Sequence, residues 1–135
     1  MMTDSLTHQK VEDYLLLKPE VSLYYPFGDD VKVFRVKNKM FATLSLGKGS
    51  EKGTDGKMAG YFCINLKCDP DEAVMLRDIF SSVIPGYHMN KKFWNTIILD
   101  NSISKGELER MIDNSYMLVV SKLTKKDQQS ILIHL

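Results

Sequence analysis

The chain has 135 residues, of which 44% are hydrophobic and 26% charged, and its 18 basic and 17 acidic side chains give a formal net charge of +1 at pH 7. This size and composition predict one folded domain over residues 1–135, and they exclude a disordered chain or one held to nucleic acid by overall basicity. No apolar run approaches the ~18 residues of a membrane-spanning helix, and the first residues are polar, so we expect a cytoplasmic protein with no membrane contact.

The positive charge is concentrated in two stretches. Residues 31–57 hold seven lysine or arginine side chains against two acidic ones, and residues 85–99 hold two lysines and no acidic side chain. Acidic residues are in excess in residues 1–30 and 68–84. The location of these stretches in the fold therefore matters more than the total charge.

A first helix is predicted over residues 4–18. Asp4 or Ser5 can accept hydrogen bonds from its first N–H groups, apolar residues follow with a period near 3.6, and Pro19 ends it. Residues 20–30 contain proline, glycine and two adjacent aspartates, which is typical of a connection built from turns.

A β-hairpin follows. Residues 31–36 and 40–46 are rich in β-branched and aromatic side chains, and Asn38 between them can adopt a left-handed conformation. Residues 47–59 are polar and glycine-rich, which predicts a mobile loop.

Residues 61–68 alternate as in a half-buried strand. One face carries Phe62, Ile64, Leu66 and Cys68, and the other carries Tyr61, Cys63, Asn65 and Lys67. The two cysteines of the chain therefore lie on opposite faces and do not pair within the strand. They are also too few for a disulfide framework or a cysteine-based zinc site.

The next helix begins with Asp69 as N-cap and Pro70 at its first position, and Glu72 completes a capping box. Its predicted apolar stripe is Ala73, Leu76, Ile79, Phe80 and Val83. Residues 85–86 end this helix. Residues 87–89 and 93–99 are predicted as two strands of a second hairpin, joined by residues 90–92.

The best-patterned helix of the chain begins at Ser104, which has a glutamate three residues later. Its apolar positions are Leu108, Met111, Ile112, Ser115, Tyr116, Val119, Val120 and Leu123. A short helix opens at Thr124, with Ile131 and Leu132 expected on its buried side. The order α-βββ-α-ββ-αα predicts an α+β fold, namely an antiparallel sheet of about five strands with helices packed on one side.

The sequence offers no catalytic motif. Residues 47–50 contain glycine, lysine and serine but lack the spacing of a phosphate-binding P-loop, and the three histidines lie on separate predicted elements without metal-ligand spacing. We therefore expect no enzyme activity, no catalytic residues, no metal and no cofactor.

The densest chemical pattern lies in residues 87–96, which combine three aromatic residues, a histidine, two lysines and two asparagines with no acidic residue. Lysines neutralise phosphates, aromatic rings stack on bases, and asparagine and histidine donate hydrogen bonds. Together with the first hairpin this predicts weak, largely sequence-independent nucleic-acid binding. The expected contacts are Lys37, Lys39, His88, Asn90, Lys91, Lys92 and Trp94.

Other interpretations remain open. Trp94 either stacks on a base or supports the hairpin from beneath, and the aromatic residues around it are equally compatible with a core. Lysines on the first hairpin would also protect a sheet edge from aggregation. The exposed sheet face could instead meet a protein partner. In a further alternative, Tyr87 and His88 line a pocket for a small molecule, and a deep cavity beside them would favour it.

The sequence resembles the MmcQ/YjbR family of small bacterial proteins. The resemblance is carried by Tyr25–Gly28, Lys39–Ala42, Ile64–Cys68, Pro85–Thr96 and Asp113–Tyr116. It implies a frataxin-like antiparallel sheet backed by helices and DNA binding through a "double wing", and it supplies no catalytic residues. The long loop over residues 47–59 departs from the family pattern, and it is either an additional phosphate-contacting arm or slack chain.

Overall fold

Four helices and six strands follow one another along residues 8–134, the part of the chain that the computed structural model describes. In chain order they are α1 (His8–Leu16), β1 (Val21–Tyr24), β2 (Val31–Val36), β3 (Lys39–Leu46), β4 (Phe62–Lys67), α2 (Pro70–Ile79), β5 (Val83–Pro85), β6 (Trp94–Ile98), α3 (Lys105–Val120) and α4 (Lys125–Leu132).

The strands form one antiparallel sheet in the order β1-β2-β3-β4-β6-β5. Side chains of all four helices join one hydrophobic core with alternate side chains of the sheet, so the helices lie on one face. The predicted α+β class and one-sided helix layer are confirmed, with six strands rather than about five.

Local chemistry fixes the helix starts as the sequence predicts. Asp69, Ser104 and Thr124 each accept hydrogen bonds from backbone N–H groups in the first turn of α2, α3 and α4. Between β2 and β3, Lys37 and Asn38 have φ of 49° and 66°. Two consecutive positive φ values match the right-handed twist of a tight hairpin.

Two strand predictions are wrong. Residues 20–30 include the edge strand β1, which pairs Val21 with Val36 and is too short to leave a periodic signal. The second hairpin uses Val83–Pro85 as β5, whereas residues 87–89 lie in a loop. The fifth strand contains a proline because it is an edge strand, where a missing N–H costs no ladder hydrogen bond.

The observed helix boundaries explain the remaining differences between the predicted and the observed helices. Helix α2 ends at Ile79, because Phe80 has extended backbone, and Ile79 is 62% exposed rather than part of the buried stripe. Leu132 is also exposed at the end of α4. Helix α1 begins at His8 among the described residues, so the proposed caps Asp4 and Ser5 lie outside them.

The second face of the sheet, called here the open face, carries no helix among residues 8–134. The predicted alternation of β4 is confirmed, with Ile64 and Leu66 in the core and Cys63 and Asn65 on the open face. Both cysteines are buried and free. The β3–β4 loop (residues 47–61) and the β5–β6 loop (residues 86–93) meet over this face, because the Lys52 N–H donates to the Tyr87 hydroxyl oxygen at 3.3 Å.

Candidate binding site on the open face of the sheet

Three polar side chains lie side by side across the middle of the open face. Thr43 of β3, Asn65 of β4 and Thr96 of β6 are directly paired in the strand register. The Asn65 amide donates to Thr43 Oγ1 at 2.9 Å, and Thr96 Oγ1 donates to Asn65 Oδ1. The Tyr87 N–H donates to Thr96 Oγ1 at 2.9 Å. This polar row is therefore a hydrogen-bonded network continuous with the β5–β6 loop.

The β3–β4 loop forms one wall beside the polar row. Met58 is buried and packs with Cys63 and Ile98 on the open face. The Glu51 carboxylate accepts from the N–H groups of Lys48 and Gly49, each at 2.8 Å, and these hydrogen bonds lower its pKa. The segment for which the sequence predicts mobility or slack is thus anchored by an apolar side chain and by an internal hydrogen-bonded turn.

A second wall comes from Tyr87, His88 and Met89 in the β5–β6 loop. The rings of Tyr87 and His88 lie 4.1 Å apart, and His88 has a φ of 60°, which is uncommon for a residue with a side chain. The loop can turn so closely because Gly86 has no Cβ; one placed there would lie 2.8 Å from that of Trp94.

These elements line a solvent-open cavity of about 600 Å³, called here the open-face cavity. The polar row forms its floor, and apolar side chains complete its sides, among them Phe27, which is 71% exposed. Its charged lining side chains are Asp30, Lys48 and Glu51, and His88 also lines it. The volume and the mixture of apolar walls with a few fixed polar groups are typical of small-ligand sites.

A second, smaller depression of about 220 Å³ adjoins the same loops. Lys52 and Lys57 of the β3–β4 loop and Lys91 of the β5–β6 loop line it, together with Asp55 and Tyr87. It is called here the lysine depression. Tyr87 also lines the open-face cavity, so its ring is shared by the two sites.

The predicted basic tips lie at one end of the sheet. The β2–β3 turn and the β5–β6 loop are separated by three strand spacings, or about 14 Å. Lys39, Lys91 and Lys92 are exposed there. Lys37 differs, because its ammonium lies 2.6 Å from Glu20, and the hydrogen bond with that carboxylate raises the pKa of Lys37.

The remaining predicted contacts have mixed placements. Trp94 is only 8% exposed, which favours the supporting role over base stacking. Asn90 Oδ1 accepts from the Lys92 N–H at 2.9 Å and so stabilises the loop. His88 is exposed and lies at the open-face cavity together with Tyr87, which is the arrangement that favours a small-molecule site.

Sequence reasoning missed the polar row and Phe27. The available signal was a threonine or asparagine at an open-face position within each of three largely apolar strands. Strand register alone brings these residues together, and register between distant strands is not readable from one sequence. The basic character of Lys52 and Lys57 is visible in the sequence, but their convergence with Lys91 is not.

The chemistry of Cys63 does not suggest a nucleophile. Burial raises the pKa of its thiol to about 12, so it stays protonated at neutral pH.

Within residues 8–134, no group of three or more histidine, cysteine, aspartate or glutamate side chains is arranged to hold a metal ion. In the same part of the chain, no helix is long and apolar enough to cross a membrane.

A family model and several known proteins are similar to this chain over most of its length. A family model described as YjbR matches residues 16–118. The chain is 35% identical over 124 residues to the uncharacterized protein YbdF of Escherichia coli O157:H7, covering 92% of this chain and 93% of that protein. It is 30% identical over 117 residues to the uncharacterized protein YyaQ of Bacillus subtilis, with 84% and 98% covered.

Solved structures agree with the fold described above. A crystal structure of a Deinococcus radiodurans protein with a DUF419 domain is similar with a TM-score of 0.78 and 28% identity, covering 97% of this chain and 91% of that one. A crystal structure from Pseudomonas syringae has a TM-score of 0.73 at 28% identity, with 84% and 98% covered.

Proposed function

The chain belongs to the YjbR family, and we propose that it binds nucleic acid through the lysine depression. The observation that carries the proposal is the convergence of Lys52, Lys57 and Lys91 from two loops that are far apart in sequence. Ammonium groups in a shallow depression attract phosphates and release the counterions condensed on them.

The charge of the depression supports this function. Asp55 is the single acidic side chain that lines it, and none of its three lysines forms an ion pair with a described carboxylate. Lys91 donates to the carbonyl oxygen of Gly86 at 2.9 Å, which positions the ammonium without cancelling its charge. Lys92 is exposed on the same loop and extends the basic surface.

The mechanism therefore differs from the sequence-based hypothesis in its residues. The proposed phosphate contacts retain three predicted residues, Lys39, Lys91 and Lys92. They also include Lys52 and Lys57. Lys37 is left out because Glu20 compensates its charge. Phosphate contacts carry no sequence information, so we expect sequence-independent binding with a Kd on the order of 10⁻⁴–10⁻⁶ M at physiological salt.

The test replaces the three lysines of the depression by alanine, as K52A/K57A/K91A. Binding to a fluorescently labelled oligonucleotide is measured by anisotropy over a series of salt concentrations. We expect weaker binding, and we expect the salt slope to fall by roughly one unit for each phosphate that the variant no longer neutralises.

The matched control removes the same charge from the helix layer, as K122A/K125A/K126A, since those lysines are exposed around α4. The control variant should show the same dependence of binding affinity on salt concentration as the wild type. Equal losses in both triple variants would mean that only net charge matters and would contradict the proposal. No loss in either variant would favour a protein partner for this surface.

The open-face cavity favours a second candidate function, which is the binding of a free small molecule. Tyr87 and His88 lie together at a cavity of about 600 Å³, as this alternative requires. A protein that binds no oligonucleotide but is stabilised by a free nucleotide or another planar compound would support this candidate instead.

A further inference from the structure

We infer that the open-face cavity takes an unpaired nucleobase of a single-stranded nucleic acid, whose adjacent phosphate occupies the lysine depression. This inference rests on the proposed function and adds the class of nucleic acid and the residue that contacts the base. Three features carry it, namely the free edge of Asn65, the shared ring of Tyr87 and the walls of the cavity.

Asn65 is held so that the outer edge of its amide faces the cavity. Its partners Thr43 and Thr96 stand on the two flanking strands, so they use the lateral N–H and one lone pair of the amide. One N–H and one lone pair remain. Thr43 and Thr96 are 4% and 1% exposed, whereas Asn65 is partly exposed among the cavity-lining side chains.

Each end of this amide has one hydrogen-bond partner in the polar row. Thr96 Oγ1 accepts from the Tyr87 N–H, so the single hydroxyl proton of Thr96 is available for Asn65 Oδ1. The nitrogen of the amide faces Thr43 and donates to its Oγ1, and an exchange of the two partners would leave the same outer edge free. The free edge thus presents a donor beside an acceptor, and every base carries a complementary pair on its Watson–Crick edge. Recognition by such an edge tolerates any sequence, as the proposed function requires.

The walls of the cavity suit a flat aromatic ligand. The rings of Tyr87 and His88 lie 4.1 Å apart among the lining side chains, and the lining residue Phe27 has an exposed ring. Met40, Met58 and Met89 supply soft apolar contacts. Base stacking on aromatic side chains is insensitive to base identity because every base has a π face.

Tyr87 connects the base site to the phosphate site. Its ring lines both the open-face cavity and the lysine depression, and its hydroxyl oxygen accepts from the Lys52 N–H. A nucleotide whose base lies against this ring would direct its phosphate toward Lys52, Lys57 and Lys91. A base in a duplex is already paired and stacked, so removing it costs a few kcal/mol. Single strands should therefore bind more tightly than duplexes.

The first test changes the ligand and leaves the protein intact. Anisotropy is measured with a labelled single strand, the same strand with abasic sites, and its duplex. We expect the abasic strand and the duplex to bind about 5- to 150-fold more weakly, which corresponds to one stacked base. Equal binding of intact and abasic strands would overturn the inference.

The second test compares Tyr87→Leu with Tyr87→Phe. Phenylalanine keeps the ring and loses the hydroxyl, whereas leucine loses the ring. We expect Tyr87→Phe to bind the single strand within about twofold of wild type, and Tyr87→Leu to show the loss expected for an abasic strand. Equal affinities of the two variants would contradict a stacking role.

Free nucleoside monophosphate as a competitor distinguishes a strand from a free nucleotide. If the monophosphate competes much more weakly than the unlabelled strand, the inference is supported. If the two compete with equal affinity, the inference that the ligand is a strand is overturned.

The proposed function and this inference can fail independently. If K52A/K57A/K91A weakens binding but abasic sites have no effect, only the base site fails. If that variant binds like wild type, the proposed function fails as well.

Discussion

Gly47→Ala should detach the wall that the β3–β4 loop builds over the open face. A Cβ at position 47 would lie 1.8 Å from the carbonyl oxygen of Met58, which is far inside the ~3.5 Å at which heavy atoms pack. The obstacle is backbone, so no side-chain rotation relieves it.

The size of the effect follows from the interactions that would separate. The Gly47 N–H donates to the Tyr61 carbonyl at 2.7 Å, and the Gly60 N–H donates to the Gly47 carbonyl at 3.1 Å. Two such bonds contribute about 0.5–1.5 kcal/mol each, and burial of the Met58 side chain contributes about 1.5–3 kcal/mol. We expect a loss of about 2.5–6 kcal/mol, mostly confined to the loop because it can leave the sheet without unfolding the core.

Limited proteolysis measures this local opening. The loop carries Lys48, Lys52 and Lys57, so trypsin should cleave it faster in Gly47→Ala than in wild type, and denaturant unfolding should report the global loss. The control is Gly106→Ala, since that exposed helical glycine has no atom within 4 Å of an added Cβ and its replacement should stabilise slightly. Wild-type cleavage and stability in Gly47→Ala would refute the reasoning.

Two further predictions concern single buried side chains. Acrylamide should quench the fluorescence of Trp94, the single tryptophan, far less in the folded protein than in guanidinium, because the ring is buried; equal quenching would place it at the surface. Burial raises the pKa of Cys63 from 9.0 to about 12, so the folded state holds this proton more tightly and the free energy of unfolding should fall as pH rises from about 9 to 12. The free energy of unfolding of Cys63→Ala, measured by denaturant titration, should fall less steeply over that pH range. Identical pH dependences of the variant and the wild type would contradict a raised pKa for Cys63.

Much of the local structure was predictable because it depends on neighbouring residues. Asp69, Ser104 and Thr124 mark helix starts, since a short oxygen-bearing side chain there bonds the first free N–H groups. Asn38 marks a hairpin turn because it tolerates positive φ. The alternation of β4 separates core from open face because side chains in a strand alternate.

The errors arose where a distant partner decides the conformation. The strand β1 exists because Val21–Tyr24 finds the free edge of β2, and no property of those four residues alone requires it. Ile79 follows the apolar period of α2, yet it is exposed because the helix ends there. Trp94 could not be assigned until the strand β6 had a neighbour on each side.

The sequence by itself determined the α+β class, the helix starts, the hairpin and the lysine-rich composition of the loops, because these follow from local hydrogen bonding and from side-chain periodicity. Tertiary structure alone decided that Thr43, Asn65 and Thr96 form one row and that Lys52, Lys57 and Lys91 surround one depression. Both arrangements depend on the register of strands distant in sequence and on the packing of two loops over one face. Neither quantity is encoded within any short stretch of the chain.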